Sequence, residues 1–144
     1  MAEEVLYQKS FPVGGGDFDV AGEVSTKIKA ILKEAGLDSK IIRRVAIASY
    51  EAELNVVIHA ESGEVDFVLT PMEIRITVSD KGPGIKDIDL AMQEGYSTAT
   101  DDMREKGFGA GMGLPNIKRT ADDLKIESIV GEGTTLHITI RIEE

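Results

Sequence analysis

The sequence predicts an α/β two-layer sandwich, a mostly antiparallel mixed sheet covered on one face by helices. Three observations predict it. Residues 73–79 and 134–142 alternate apolar and polar side chains with a period of two, so that Ile74, Ile76 and Val78, and then Leu136, Ile138, Ile140 and Ile142, each share one strand face. Residues 22–35 and 38–59 instead repeat apolar side chains at helical spacing. The chain has 144 residues, 42% of them hydrophobic, which suits one domain with a core of its own. No internal repeat or linker divides it, so residues 1–144 read as a single domain.

The elements follow in order. Residues 5–11 form a short strand, with Leu6, Gln8 and Ser10 on one face and Tyr7, Lys9 and Phe11 on the other. Gly14-Gly15-Gly16 after Pro12 makes a turn. The first helix uses Val24, Ile28, Ile31, Leu32 and Ala35 and stops at Gly36. The second begins at Asp38, whose short carboxylate suits an N-cap, and runs through Ile42, Val45, Ala46, Ser49, Leu54, Val57 and Ile58 to about His59. After Gly63, residues 65–70 alternate, and Pro71-Met72 connects them to the strand at 73–79. That strand runs straight into Asp80-Lys81-Gly82-Pro83-Gly84. Residues 88–92 make a short helix. Residues 95–113 are polar, glycine-rich and weakly periodic, and so long a stretch without a regular pattern points to a functional lid. A helix over 114–121 tolerates Pro115 in its first turn, and strands at 124–130 and 134–142 meet through Gly131-Glu132-Gly133.

Composition narrows the function classes. A net charge of -10, with no basic stripe, excludes nucleic acid as a partner. A nucleotide stays open, because backbone N–H groups and a metal ion can neutralise its phosphates locally. With no cysteine, disulfides, thiolate chemistry and cysteine-based zinc sites are excluded. The first residues carry no apolar signal core and no stretch approaches a membrane span, so a cytoplasmic location is expected, with no membrane contact of its own.

Three constellations can carry chemistry. Glu51 and Asn55 stand four apart on the second helix and share a face. An amide oxygen at Asn55 can ligate magnesium without adding charge, and a carboxylate at Glu51 can polarise a hydroxyl or water. Glu53 lies between them and is expected to face away from any pocket, so that replacing it should change neither binding nor chemistry at that face much. Asp80 at the end of its strand can accept a hydrogen bond from an exocyclic amine while Gly82 and Gly84 let the backbone close round a flat base; an ordinary turn is the alternative. Gly107, Gly109, Gly111 and Gly113 alternate just ahead of a helix, as suits a chain wrapping phosphates, with Arg104 and Lys106 close by. The pattern is neither a Walker A loop nor a dinucleotide fingerprint. His59 reads as a structural histidine, and His137 lies on the strand face opposite Leu136 and Ile138; the two give no metal-site spacing.

The order of these elements resembles the GHKL superfamily of Bergerat-fold ATPases and kinases. The Glu51…Asn55 helix is similar to its N box, Asp80-x-Gly82-x-Gly84 to its G1 box, and Gly107 to Gly113 to its G2 box and ATP lid. Gly131-x-Gly133-Thr134-Thr135 resembles the last glycine-threonine element, and the whole likeness spans about residues 42–142. Within the superfamily, Gly95-Tyr96-Ser97-Thr98 and Gly113-Leu114-Pro115-Asn116-Ile117-Lys118-Arg119 resemble the anti-sigma and switch serine/threonine kinase branch. The resemblance implies a Bergerat fold with a glycine-rich lid at about 95–113, and ATP and Mg²⁺ as ligands. It implies Glu51 as catalytic base, Asn55 as magnesium ligand and Asp80 as adenine reader. Gly82, Gly84, Ile85, Lys106, Gly107, Gly109, Gly111, Met112, Gly113, Thr134 and Thr135 would complete the nucleotide site. Residues 100–106 depart from the branch as an acidic-then-basic insert. The implied activity is transfer of the γ-phosphoryl group to a small regulatory protein of the anti-sigma-factor-antagonist kind. A sigma factor is a second candidate partner, and a homodimer a candidate assembly. The alternatives are an isolated sensor-histidine-kinase-like catalytic domain and an ATP-dependent binding module without phosphotransfer.

Overall fold

The computed structural model describes residues 4–93 and 113–142. Five strands, β1 (Tyr7–Gly14), β2 (Ser62–Leu69), β3 (Glu73–Lys81), β4 (Asp123–Ile129) and β5 (Gly133–Arg141), form one sheet in the order β1-β2-β3-β5-β4. Every pairing in it is antiparallel. The helices are α1 (Glu23–Glu34), α2 (Ser39–His59), the single turn α3 (Ile88–Ala91) and α4 (Gly113–Thr120). The layer that covers the sheet is built round α2, which packs on β1, β2, β3 and β5 and is flanked by α1 and α4.

Strand periodicity fixes which face is covered. Val65, Phe67 and Leu69 stand opposite Val78, Ile76 and Ile74, which in turn stand opposite Leu136, Ile138 and Ile140. All nine are buried, and they meet Val45, Ala48, Ala52 and Val56 of α2 in one core. Alternate positions on the same strands (Glu64, Asp66, Arg75, Thr77 and His137) lie on the other face, which is therefore polar. His137 falls on that face as its strand position required, with Nε2 3.6 Å from a Glu127 carboxylate oxygen.

The first strand begins and ends later than the 5–11 expected. It pairs with β2 from Tyr7↔Leu69 to Gly14↔Ser62, because Phe11 and Val13 belong to the buried face. Pro12 is tolerated within it because β1 is an edge strand. The glycines that follow tie β1 to the end of α2, with Gly15 N–H donating to Glu61 O at 2.9 Å and Gly16 N–H to Val57 O at 2.8 Å.

The two long helices are capped differently. The Asp38 carboxylate accepts from Lys40 N–H at 2.7 Å, the ordinary N-cap bond that starts α2. Gly22 at the N-cap of α1 has φ 97° and no side chain to offer. Its place is taken by Glu53, reaching across from α2: the carboxylate accepts from Gly22 N–H at 3.0 Å, Val24 N–H at 3.3 Å and Ser25 N–H at 3.1 Å. Glu53 faces away from Glu51 and Asn55, is buried and holds the start of α1, a structural role that the sequence did not suggest. At the other flank Arg44 of α2 donates from Nε to Thr120 O at 2.9 Å and from Nη2 to the Asp122 carboxylate at 3.1 Å, fixing the C-terminal end of α4. Among the described residues no helix is long and apolar enough to cross a membrane.

Candidate functional site

The face of α2 turned toward α4 carries Arg44, Glu51 and Asn55, spaced at seven and four residues so that they stack along one side. The first residue of α4 lies against the last two. A Cβ placed on Gly113 would sit 3.1 Å from Asn55 Oδ1 and 3.4 Å from Glu51 Oε2. The side chain of Asn55 therefore offers a hard amide oxygen beside the Glu51 carboxylate at a helix N-terminus. Burial pushes the Glu51 carboxyl above its ordinary 4.5, and a hydrogen bond from the Asn116 side chain opposes that shift. The Asn116 amide oxygen in turn accepts from the Arg119 guanidinium.

A second group forms where β3 ends. Asp80 follows Val78 on the covered side of the sheet, and its Oδ1 accepts from Thr134 N–H at 3.1 Å. Burial raises the Asp80 carboxyl above its ordinary 3.8, while the Thr134 bond works the other way. The turn after Asp80 and the turn joining β4 to β5 are bonded to each other. Gly82 N–H donates to Glu132 O at 3.3 Å, and Gly131 N–H donates to Pro83 O at 2.9 Å. Two glycines make this contact possible. Gly84 has φ 75° and a Cβ there would lie 2.5 Å from Ile129 O; a Cβ on Gly133 would lie 2.0 Å from Asp80 O.

Ser128 of β4 closes the corner. Its hydroxyl accepts from Ile85 N–H at 2.7 Å, lies 2.9 Å from Thr134 Oγ1 and reaches Gly133 O at 3.2 Å. The end of α2 joins the two groups, since a Cβ on Gly82 would be 3.1 Å from the Cα of Ala60. The turn beside Asp80 thus rests on the end of the helix that bears Glu51 and Asn55.

Of the residues singled out from sequence, the structure brings Glu51, Asn55 and Gly113 together, and it brings Asp80, Gly82, Gly84, Ile85 and Thr134 together. Thr135 is not with them: it pairs with Ser79 on the opposite face of the sheet, because side chains alternate along β5. Arg104, Lys106, Gly107, Gly109, Gly111 and Met112 lie outside the described residues, as does the insert at 100–106. His59, at the end of α2, is partly buried and its imidazole is held below 6.5 by burial. The sequence reading gave no role to Ser128, Asn116 or Glu53. The register of β4 against β5 could have found Ser128, which pairs with Thr134, and a three-residue step from Gly113 could have found Asn116.

A shallow depression of about 530 Å³ elsewhere is lined by Asp19, Val20, Gly22, Glu23 and Tyr50 among others, and shares no residue with this site. Among the described residues no three His, Asp or Glu side chains gather as metal ligands. The Asn55 Oδ1 atom is a hard oxygen of the kind that can ligate magnesium alongside phosphate and water oxygens.

Known proteins resemble this chain in sequence and in fold. The histidine kinase-like ATPase domain model matches residues 18–140. The chain is 31% identical over 110 residues to the serine/threonine-protein kinase RsbT of Bacillus subtilis, covering 74% of this chain and 77% of that protein. It is 33% identical over 112 residues to the anti-sigma F factor of Caldanaerobacter subterraneus, covering 73% and 75% of the two chains. Two solved structures share the fold. The RsbU and RsbW domains of a Mycobacterium tuberculosis protein superpose with TM-score 0.62 at 19% identity, covering 93% of this chain and 32% of that longer one. The SiaB–SiaC complex of Pseudomonas aeruginosa gives TM-score 0.58 at 14% identity, covering 96% and 90%.

Proposed function

Because the chain belongs to the histidine kinase-like ATPase domain family, the GHKL or Bergerat-fold group that includes the anti-sigma and switch kinases, we propose that it is a serine/threonine protein kinase. It binds Mg-ATP and transfers the γ-phosphoryl group to a small regulatory protein of the anti-sigma-factor-antagonist kind. The observation that carries this reading is the meeting of Glu51 and Asn55 with Gly113 at the start of α4: a carboxylate, a neutral metal-ligating oxygen and a helix N-terminus share one spot.

The chain's own residues divide the work. The Asp80 carboxylate accepts a hydrogen bond from the 6-amino group of adenine, and the flat base slides against the Gly82 and Gly84 turn. Asn55 Oδ1 gives the metal one oxygen ligand; bound magnesium neutralises charge on the phosphates. Glu51 takes the proton of the acceptor serine or threonine hydroxyl while that oxygen bonds to the γ-phosphorus and the bond to the β–γ bridging oxygen breaks. The products are phosphoprotein, ADP and protonated Glu51. A carboxyl held up by burial binds that proton more readily than an exposed one would.

The test is to capture a partner from the source cell lysate on immobilised protein and to follow labelled γ-phosphate in a single turnover at saturating Mg-ATP. Label on a partner serine or threonine is expected. Glu51→Ala should leave nucleotide binding nearly intact and slow transfer by roughly 10²- to 10⁴-fold, the usual worth of a positioned base. A partner that binds without acquiring label would replace the kinase with a nucleotide-controlled binding module.

A further inference from the structure

Ser128 belongs to none of the motifs above, yet it holds three parts of the Asp80 corner at once. A serine hydroxyl has one proton and two lone pairs, and Ser128 has three polar neighbours: Ile85 N–H at 2.7 Å, Thr134 Oγ1 at 2.9 Å and Gly133 O at 3.2 Å. Ile85 N–H can only donate and Gly133 O can only accept. One assignment uses every contact: Ser128 donates to Gly133 O and accepts from both Ile85 N–H and the Thr134 hydroxyl. The reverse direction between the two hydroxyls would spend the single Ser128 proton on Thr134 and leave Gly133 O without it.

The consequence falls on Thr134. Its proton is committed to Ser128, so Thr134 Oγ1 has only lone pairs for any other group. Its neighbour across the corner, the Asp80 carboxylate, is also an acceptor, already taking Thr134 N–H. The hydroxyl and the carboxylate together form a wall that accepts and does not donate. Such a wall suits a purine with a 6-amino group and disfavours one with a 6-oxo group, whose oxygen would find no donor there.

We propose that Ser128 is a specificity-determining positioning residue, which orients the Thr134 hydroxyl so that the base corner discriminates 6-amino from 6-oxo purine nucleotides. This rests on the nucleotide reading given above. A purely structural serine would lower affinity for all nucleotides alike; an orienting serine changes their ratio.

Isothermal titration of ADP and of inosine diphosphate, each with Mg²⁺, into wild-type, Ser128→Ala and Ser128→Thr proteins tests it. Wild type should prefer ADP. In Ser128→Ala the Thr134 hydroxyl is free to turn and donate to the 6-oxo group, so the preference should shrink by about tenfold, the scale of one hydrogen bond. Ser128→Thr keeps the hydroxyl and should restore it. Amide exchange at Ile85 without nucleotide provides a separate readout, and it should quicken in Ser128→Ala and not in Ser128→Thr. Equal loss of both affinities in Ser128→Ala, or an unchanged ratio with folded protein by thermal melt, overturns the proposal and leaves the ATP reading standing. Failure of wild type to bind either nucleotide overturns both.

Discussion

Replacing Glu53 tests how α1 is held. The side chain is 2% exposed, and its two carboxylate oxygens take the N–H groups of Gly22, Val24 and Ser25, which the first turn of a helix leaves without partners. Gly22 cannot substitute, having no side chain. In Glu53→Ala these three donors lose their acceptor. A buried donor without a partner costs about 1–3 kcal/mol, but the part-buried Gly22 N–H can recover water, so a loss of about 3–5 kcal/mol is expected. That is a large share of the roughly 5–15 kcal/mol that holds a domain folded. Glu53→Gln keeps one oxygen and turns an NH₂ group toward a donor, so about half the loss is expected. Urea titrations followed by far-UV circular dichroism measure both. A change under about 1 kcal/mol in Glu53→Ala, with the denaturant slope unchanged, would refute the cross-helix cap.

Three further outcomes are expected. Asp80→Asn replaces a charged acceptor with a neutral one and should weaken ADP binding by about tenfold or more in isothermal titration; equal affinity would remove Asp80 as the reader of the amino group. Chelating Mg²⁺ with EDTA should weaken ATP binding strongly in wild type and little in Asn55→Ala, because the mutant has already lost the protein's ligand to the metal; equal sensitivity in the two proteins speaks against Asn55. Glu51 titrates above its ordinary 4.5 in the fold, so its contribution to stability is present below that value and is lost as pH rises through the raised one. Glu51→Gln should thus melt no lower than wild type at neutral pH, with the gap closing in acid, and single-turnover transfer in wild type should fall away in acid at a pH above 4.5.

Much of the fold was legible because burial and periodicity agree. The alternation through Ile74, Ile76 and Val78 and through Leu136, Ile138 and Ile140 reports strands buried on one side, and the long apolar repeat from Ile42 to Ile58 reports the helix that covers them. Asp38 and Gly36 marked helix ends by local chemistry alone. The start of β1 was less legible, since an edge strand with a proline and exposed Tyr7 carries a weak pattern. The candidate site was legible in its motifs and not in its supports. Glu53 looks like any acid on a helix until α1 is laid beside it, and Ser128 like any strand serine until register sets it against Thr134. Thr135 shows the converse. Adjacency in sequence suggested a shared role with Thr134, whereas the strand pleat sends the two side chains to opposite sides of the sheet.

The bonds between the two turns, Gly82 to Glu132 and Gly131 to Pro83, have a consequence for folding. The segments they join are about fifty residues apart in sequence, and they meet only when β3 pairs with β5 and β5 pairs with β4. No fragment and no partly folded form can therefore assemble the Asp80 corner; it exists when the last strand is in register and not before. A ligand seated there would bind the native chain and nothing else, so saturation would deepen the native well by about 4 kcal/mol at a thousandfold excess over Kd. On the proposed reading, nucleotide supply would act as a proofreader of this chain's folding, protecting finished molecules and leaving those with an undocked β5 exposed to proteolysis.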